Sequence, residues 1–317
     1  MRVLPGAVRP PISLAYLLAR ACDTVADTQL VALQSRLGAL RQLRDRITGA
    51  STTALDLGPL AKCQGLPAEK QLLERCEEAL GRLEALAMFD KDEVRSVLAT
   101  IISGQELDLS RFGGLRPGQL EALETDAELD DYTYRVAGCV GGFWTRLCRV
   151  HLFAGADVDD RFLLETSTRF GKGLQLVNIL RDIPRDLRKG RCYLPRSALA
   201  AAGLKAADLL SMTNQQALRS TYDGYLARAE AHLRAGWDYT NALPAGQLRL
   251  RLACAWPLLI GVKTLAKLRG ADFLDPEKTV KITRKEVRTV MARTVLLYPC
   301  QPAWRAQFAT LQHKEGS

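Results

Sequence analysis

Histidine is scarce: His151, His232 and His313 are the only three in 317 residues and lie far apart, so an imidazole-based zinc site is not expected. The eight cysteines form no C-x-x-C pair, which excludes the common zinc-ribbon and thioredoxin-like readings. Most sit among apolar neighbours, as small hydrophobes do, and this usage points to a reducing cytoplasm. No apolar run approaches the roughly 20 residues needed to span a bilayer, and the first residues carry no charged-then-apolar signal segment. The expectation is a cytoplasmic, soluble protein, with peripheral contact at a membrane surface left open.

Aromatic residues make up only 6% of the chain, whereas the formal net charge is +9. Such a balance favours anionic company: nucleic acid, an acidic membrane surface or a phosphorylated small molecule. The basic residues are dispersed and no helix-turn-helix, finger or RNA-binding signature accompanies them, so nucleic acid is not an expected partner. No repeat, low-complexity run or Ser/Gly-rich linker divides the chain, and Pro/Gly stretches such as 113–118 are short enough to be interhelical loops. One domain over residues 1–317 is expected.

What the sequence does have is helical periodicity. Apolar residues recur every three or four positions over Ile12–Asp45, Lys70–Phe89, Asp92–Ser103, Gln119–Phe153, Arg161–Ile183, Gln215–Leu243, Gln247–Leu268 and Lys285–Leu296. Strand-like alternation is almost absent. With 47% hydrophobic residues, the chain reads as an all-α domain, a large antiparallel helical bundle in which facing helices build a site around a central cavity.

Two acidic pairs stand out on these helices, Asp23 with Asp27 and Asp182 with Asp186. A four-residue spacing stacks both carboxylates of a pair on one helical face, and two such faces can clamp hard cations between them. Magnesium suits this donor set, because it takes oxygen ligands, keeps several waters and is held by one or two carboxylates plus substrate phosphate oxygens. Gln175, Asn178, Asp182 and Asp186 continue as a polar stripe on a helix that is otherwise apolar, and such a stripe needs partners. Arg20 and Arg181 put a cation beside each face. The plainer alternative is that a single D-x-x-x-D is only a solvated surface pair. Pro184 sits between Asp182 and Asp186, removes an amide donor and disfavours helix at Ile183; displacement of Asp186 from the face of Asp182 is therefore expected.

The surroundings of these pairs carry a family resemblance. Residues 12–28 (ISLAYLLARACDTVADT), 132–141 (YTYRVAGCVG), 173–182 (GLQLVNILRD) and 190–195 (GRCYLP) resemble the squalene/phytoene synthase family, in its order and over nearly the whole chain. The resemblance implies an isoprenoid-synthase fold and a prenyltransferase that condenses two prenyl diphosphates, such as farnesyl diphosphate, head to head through presqualene diphosphate. It further implies that Asp23, Asp27, Asp182 and Asp186 bind Mg2+, and that Arg20, Gln175, Asn178, Arg181 and Arg284 contact the diphosphate. Tyr16, Tyr132 and Tyr134 match positions lining the reaction centre, where an aromatic face can steer a carbocation; buried packing is the competing role.

Residues 252–265 and 280–285 look more like the squalene branch than the phytoene branch, which would make squalene the product and NADPH a cosubstrate. Phytoene, dehydrosqualene and hydroxysqualene are alternative products, and an inactive lipid-binding relative is the alternative of another class. The family also resembles itself in a leading Ser-Arg-Ser-Phe-like segment that this sequence does not include, and Arg135 stands where eukaryotic squalene synthases have Tyr. Gly138, Gly141, Gly142, Gly171 and Gly173 fall inside expected helices, at a cost of about 1 kcal/mol each relative to Ala. Close helix contact or room for an isoprenoid tail would account for them.

Overall fold

A computed structural model describes residues 3–116 and 118–312, and they form two compact units. The first contains Pro5–Gly114 with Phe143–Ala154; the second contains Leu115–Gly142 and the chain from Gly155 onward. Apart from a single two-residue parallel bridge between Glu121–Ala122 and Arg191–Cys192, the regular structure of the described residues is helical. No helix among them is long and apolar enough to cross a membrane.

The first unit comprises α1 (Arg9–Asp27), α2 (Leu33–Thr48), α3 (Gly58–Lys62), α4 (Pro67–Glu74), α5 (Cys76–Glu84) and α6 (Met88–Phe112). Prolines at the first turn of α1 are pre-shaped for a helix start and lose no intrahelical bond there. Leu14, Leu18, Ala21, Cys22 and Val25 bury one side of α1; Tyr16, Arg20, Asp23 and Asp27 recur at four- and three-residue steps along the other. The helix ends at Asp27 because Arg36, itself buried, donates to the Ala26 carbonyl at 2.9 Å and satisfies a C-terminal acceptor. The stretch expected as one helix over Ile12–Asp45 is thus two, without a Gly or Pro to mark the break. Helices α2 and α6 run antiparallel, with Arg44 on Glu106 and Arg95 on the Ile47 carbonyl.

The second unit carries α7 (Asp126–Thr133), a single π-helical turn (Tyr134–Gly138) and the first turn of α8 (Cys139–Leu152), followed by α9 (Asp160–Arg188), α10 (Arg196–Ala201), α11 (Gln215–Ala242), α12 (Leu248–Arg269), α13 (Arg284–Leu297), α14 (Gln301–Arg305) and α15 (Gln307–Gln312). Helices α9 and α11 lie antiparallel: Phe170 packs on Gly236, Gly173 on Leu233, and Tyr222 reaches Leu180. The glycine puzzle resolves toward close contact. A Cβ on Gly141 would lie 2.0 Å from the Ser167 carbonyl oxygen, and one on Gly171 would lie 2.3 Å from that of Ala137.

Pro184 does not break α9, which runs unbroken to Arg188. The expected displacement of Asp186 is therefore not observed, and the reason lies in the hydrogen bonding of the helix. Proline at 184 deprives the Leu180 carbonyl of its usual amide donor. The Tyr222 hydroxyl, fully buried and stacked on Phe273 at 3.8 Å, donates to that carbonyl at 3.3 Å instead. Tyr222→Phe is expected to destabilise the protein by about 1 kcal/mol, and by clearly less in a Pro184→Ala background, where an amide returns to Leu180. Urea unfolding of the four-membered mutant cycle measures this; equal losses in both backgrounds would refute the compensation.

Candidate active site

The first acidic face is built within the first unit. Asp23 is part-buried on α1 and accepts a hydrogen bond from Nε2 of Gln105 on α6, while Asp27 is exposed at the helix end. Burial pushes the Asp23 carboxyl up to about 6, with the like charge of Asp27 adding to the rise and the Gln105 bond and Arg20 opposing it. Gln105 is 7% exposed, and its Oε1 is buried with no hydrogen-bond partner among the described residues. Arg20 does not lie free: its guanidinium pairs with Glu69 on α4. Tyr16, one turn earlier, is exposed.

The second acidic face is built on α9. Arg181 forks onto its neighbour Asp182, Nε donating to Oδ1 at 2.9 Å and Nη2 to Oδ2 at 2.7 Å. Burial, then the adjacent Asp182 charge, raises the Asp186 carboxyl to about 6 against the pull of Arg191, Lys189 and Arg185. Gln175 is half-buried and Asn178 exposed on the same helix. Arg181 and Asp182 open onto a cavity of about 630 Å3, also lined by Arg185, Arg188, Lys278 and Lys281. Cations dominate that wall, as an anionic ligand requires.

Apart from Arg181, this basic wall is not among the residues expected from the sequence, nor are Gln105 and Glu69. Gln105 and Glu69 come from other helices and leave no local signal, whereas Arg185 and Arg188 follow Arg181 at helical spacing, a signal that could have found them. Of the expected diphosphate contacts, Arg284 is exposed at the first turn of α13 and is not part of that cavity wall. Tyr132 stacks on Tyr193 with ring centroids 4.8 Å apart, and Tyr134 is 42% exposed beneath the Lys172 ammonium, 5.7 Å from its ring.

The donor set fits a hard divalent cation. Each face offers two carboxylates one turn apart, one of them destabilised as an anion by burial and like charge. A cation would relieve that penalty. No group of three or more His, Cys, Asp or Glu side chains with metal-binding geometry occurs among the described residues; a hard cation that prefers oxygen ligands and keeps several waters, such as magnesium, suits a site of few carboxylates.

A family model described as squalene/phytoene synthase matches residues 1–286. The chain belongs to the squalene/phytoene synthase family. Within that family it is a prenyltransferase of the head-to-head, isoprenyl diphosphate-condensing type. It is 32% identical over 285 residues to a presqualene diphosphate synthase of Rhodopseudomonas palustris, covering 89% of this chain and 86% of that one. A presqualene diphosphate synthase of Sinorhizobium fredii is 27% identical over 300 residues, or 94% of this chain and 91% of the relative. Among solved structures, TcSQS in complex with the ligand E5700 superposes with a TM-score of 0.76 at 20% identity, covering 99% of this chain and 87% of that one. Identity that low speaks for the fold alone, which is the all-α fold of the squalene synthases.

The two raised carboxyls make a pH prediction. Unfolded, both would titrate near 3.9; folded, both hold their protons up to about 6. The folded state binds more protons over this window, so their stabilising contribution is complete below about pH 4 and lost as the pH rises through about 6. In metal-free protein, Asp23→Asn and Asp186→Asn should each raise stability at pH 7 by on the order of 1–2 kcal/mol and confer no gain at pH 4. Urea melts at the two pH values check this, and a gain that persists at pH 4 would contradict the assignment.

Proposed function

We propose that the protein is a magnesium-dependent synthase that joins two molecules of farnesyl diphosphate into presqualene diphosphate, with release of one diphosphate. The observation that carries this reading is the pair of acidic faces, Asp23 with Asp27 on α1 and Asp182 with Asp186 on α9, each two carboxylates one turn apart, in a chain matched by the family model over residues 1–286. The two relatives named presqualene diphosphate synthases support the choice of product.

On this reading Asp23, Asp27, Asp182 and Asp186 would hold Mg2+, which would supply positive charge against that building on a departing diphosphate. Arg181, now forked on Asp182, and Arg20, now paired with Glu69, would be the side chains to receive phosphate oxygens. The guanidinium fork suits both partners because carboxylate and phosphate oxygens present similar bidentate geometry. Gln175 and Asn178, on the stripe of α9, donate amide hydrogens to the same anion. Tyr16, Tyr132 and Tyr134 offer aromatic faces to the carbocation left after diphosphate departs.

Incubation of the purified full-length chain with farnesyl diphosphate and Mg2+, with and without NADPH, tests the proposal. Presqualene diphosphate is the expected product by mass spectrometry in both conditions. Squalene formed only with NADPH would move the reading to the squalene branch, and no diphosphate release under either condition would remove the enzyme reading. Asp23→Asn and Asp182→Asn should each lower turnover at least about 100-fold, the scale of losing one electrostatic stabiliser, while circular dichroism stays that of the parent. Undiminished turnover in either variant would contradict the metal assignment.

A further inference from the structure

Helices α12, α13 and α15 enclose a cavity of about 340 Å3, within the size class of small-molecule sites. Leu259, Val290 and Leu311 form its apolar wall, and Lys285, Arg293 and Gln307 its unpaired polar one. Glu286 also borders it but is committed elsewhere: its carboxylate bonds Lys263 at 3.1 Å and Lys267 at 2.9 Å and closes the capping box with Thr283.

Of the remaining polar groups, the Thr289 hydroxyl is spent on the Lys285 carbonyl at 3.0 Å, and the Lys285 ammonium, the Arg293 guanidinium and the Gln307 amide nitrogen are donors. Lys285 and Arg293 lie two turns apart on one side of α13 with Thr289 between them, and neither has a side-chain partner among the described residues. Gln307 is 2% exposed and its Nε2 is buried without an acceptor. The terminal torsion of a glutamine is broad, so a small turn of the amide presents that hydrogen to the cavity. Two unpaired cations and an unpaired amide donor beside an apolar wall call for a ligand whose head carries acceptors and negative charge and whose body is aliphatic.

We propose that this cavity binds a small anionic amphiphile, its carboxylate or phosphate head held by Lys285, Arg293 and Gln307 and its chain lying along Leu259, Val290 and Leu311. Neither the acidic faces nor the basic cavity of α9 shares these residues, and Thr289, Val290, Arg293, Gln307 and Leu311 lie beyond the segment matched by the family model. The cavity therefore shares no residue with those assigned to the prenyl diphosphate chemistry.

Calorimetric titration of the full-length protein with decanoate, with geranyl monophosphate and with neutral decanol provides the test. At least one of the two anions should bind saturably, and at least tenfold more tightly than decanol. Whichever anion binds more tightly identifies the head group as carboxylate or phosphate. Arg293→Gln and Gln307→Leu should each weaken that binding about tenfold and leave diphosphate release from farnesyl diphosphate unchanged. Arg293 is at the cavity rim, so its variant keeps the test open should Gln307→Leu fail to fold. Absence of saturable binding, equal affinity for decanol, or affinity unmoved by the substitutions would each overturn the proposal.

Discussion

A helix can carry two carboxylates on one face only while its turns remain in register, and in α9 that register survives a proline placed between them. The missing amide of Pro184 leaves the Leu180 carbonyl without its intrahelical donor, and the hydroxyl of Tyr222 takes the amide's place from the neighbouring helix. Stacking on Phe273 holds the Tyr222 ring where its hydroxyl can do so. The placement of Asp186 one turn after Asp182, where burial and then like charge lift its carboxyl, is supported by a hydrogen bond made by α11. Packing between α9 and α11 is thereby linked to the electrostatics of the site.

Charge around the acidic faces divides into exchangeable pairs and uncompensated acids. Each face has an arginine that neutralises a carboxylate: Arg181 on Asp182, and Arg20 on Glu69. These are partly exposed pairs, worth at most about 1 kcal/mol each, so exchanging a protein carboxylate for a phosphate loses little stability. By contrast, at Asp23 and Asp186 burial outweighs the nearby cations and the Gln105 hydrogen bond, and both carboxyls titrate high. On the proposed reading, the weak ion pairs are the ones a substrate would displace, and the two high-titrating acids are the ones a divalent cation would stabilise.

The helical class, the long helices α9, α11, α12 and α13, and both acidic pairs were legible in the sequence because each depends on local spacing. The ends of α11 and α12 fall within a residue of the periodic stretches. The break after Asp27 was not legible, because no Gly or Pro marks it and the Ala26 carbonyl it leaves is satisfied from ten residues away by Arg36. Continuity through Pro184 was hidden for a similar reason, since its compensating donor is 38 positions downstream in Tyr222. Short helices such as α3, α10 and α14 offer too few turns for periodicity to register. Within the site, Gln105 and Glu69 became visible only once tertiary packing brought α6 and α4 against α1.

Glycine shows how the same tertiary contacts set limits on the site. Gly141 and Gly171 let the π-turn and the start of α8 lie against α9 so closely that a methyl group at either would overlap a backbone carbonyl. A carbonyl cannot swing aside as a flexible side chain would, so the contact fixes how the Tyr134 segment lies along α9. Lys172, between Gly171 and Gly173, then bonds Asp130 at 2.7 Å and holds its ammonium near the Tyr134 ring. A π-helical turn adds a residue without ending the helix and rotates the next turns about the axis; here it begins at Tyr134 itself. The backbone path at this aromatic residue is thus set by the absence of two side chains, and one cation lies beside its ring.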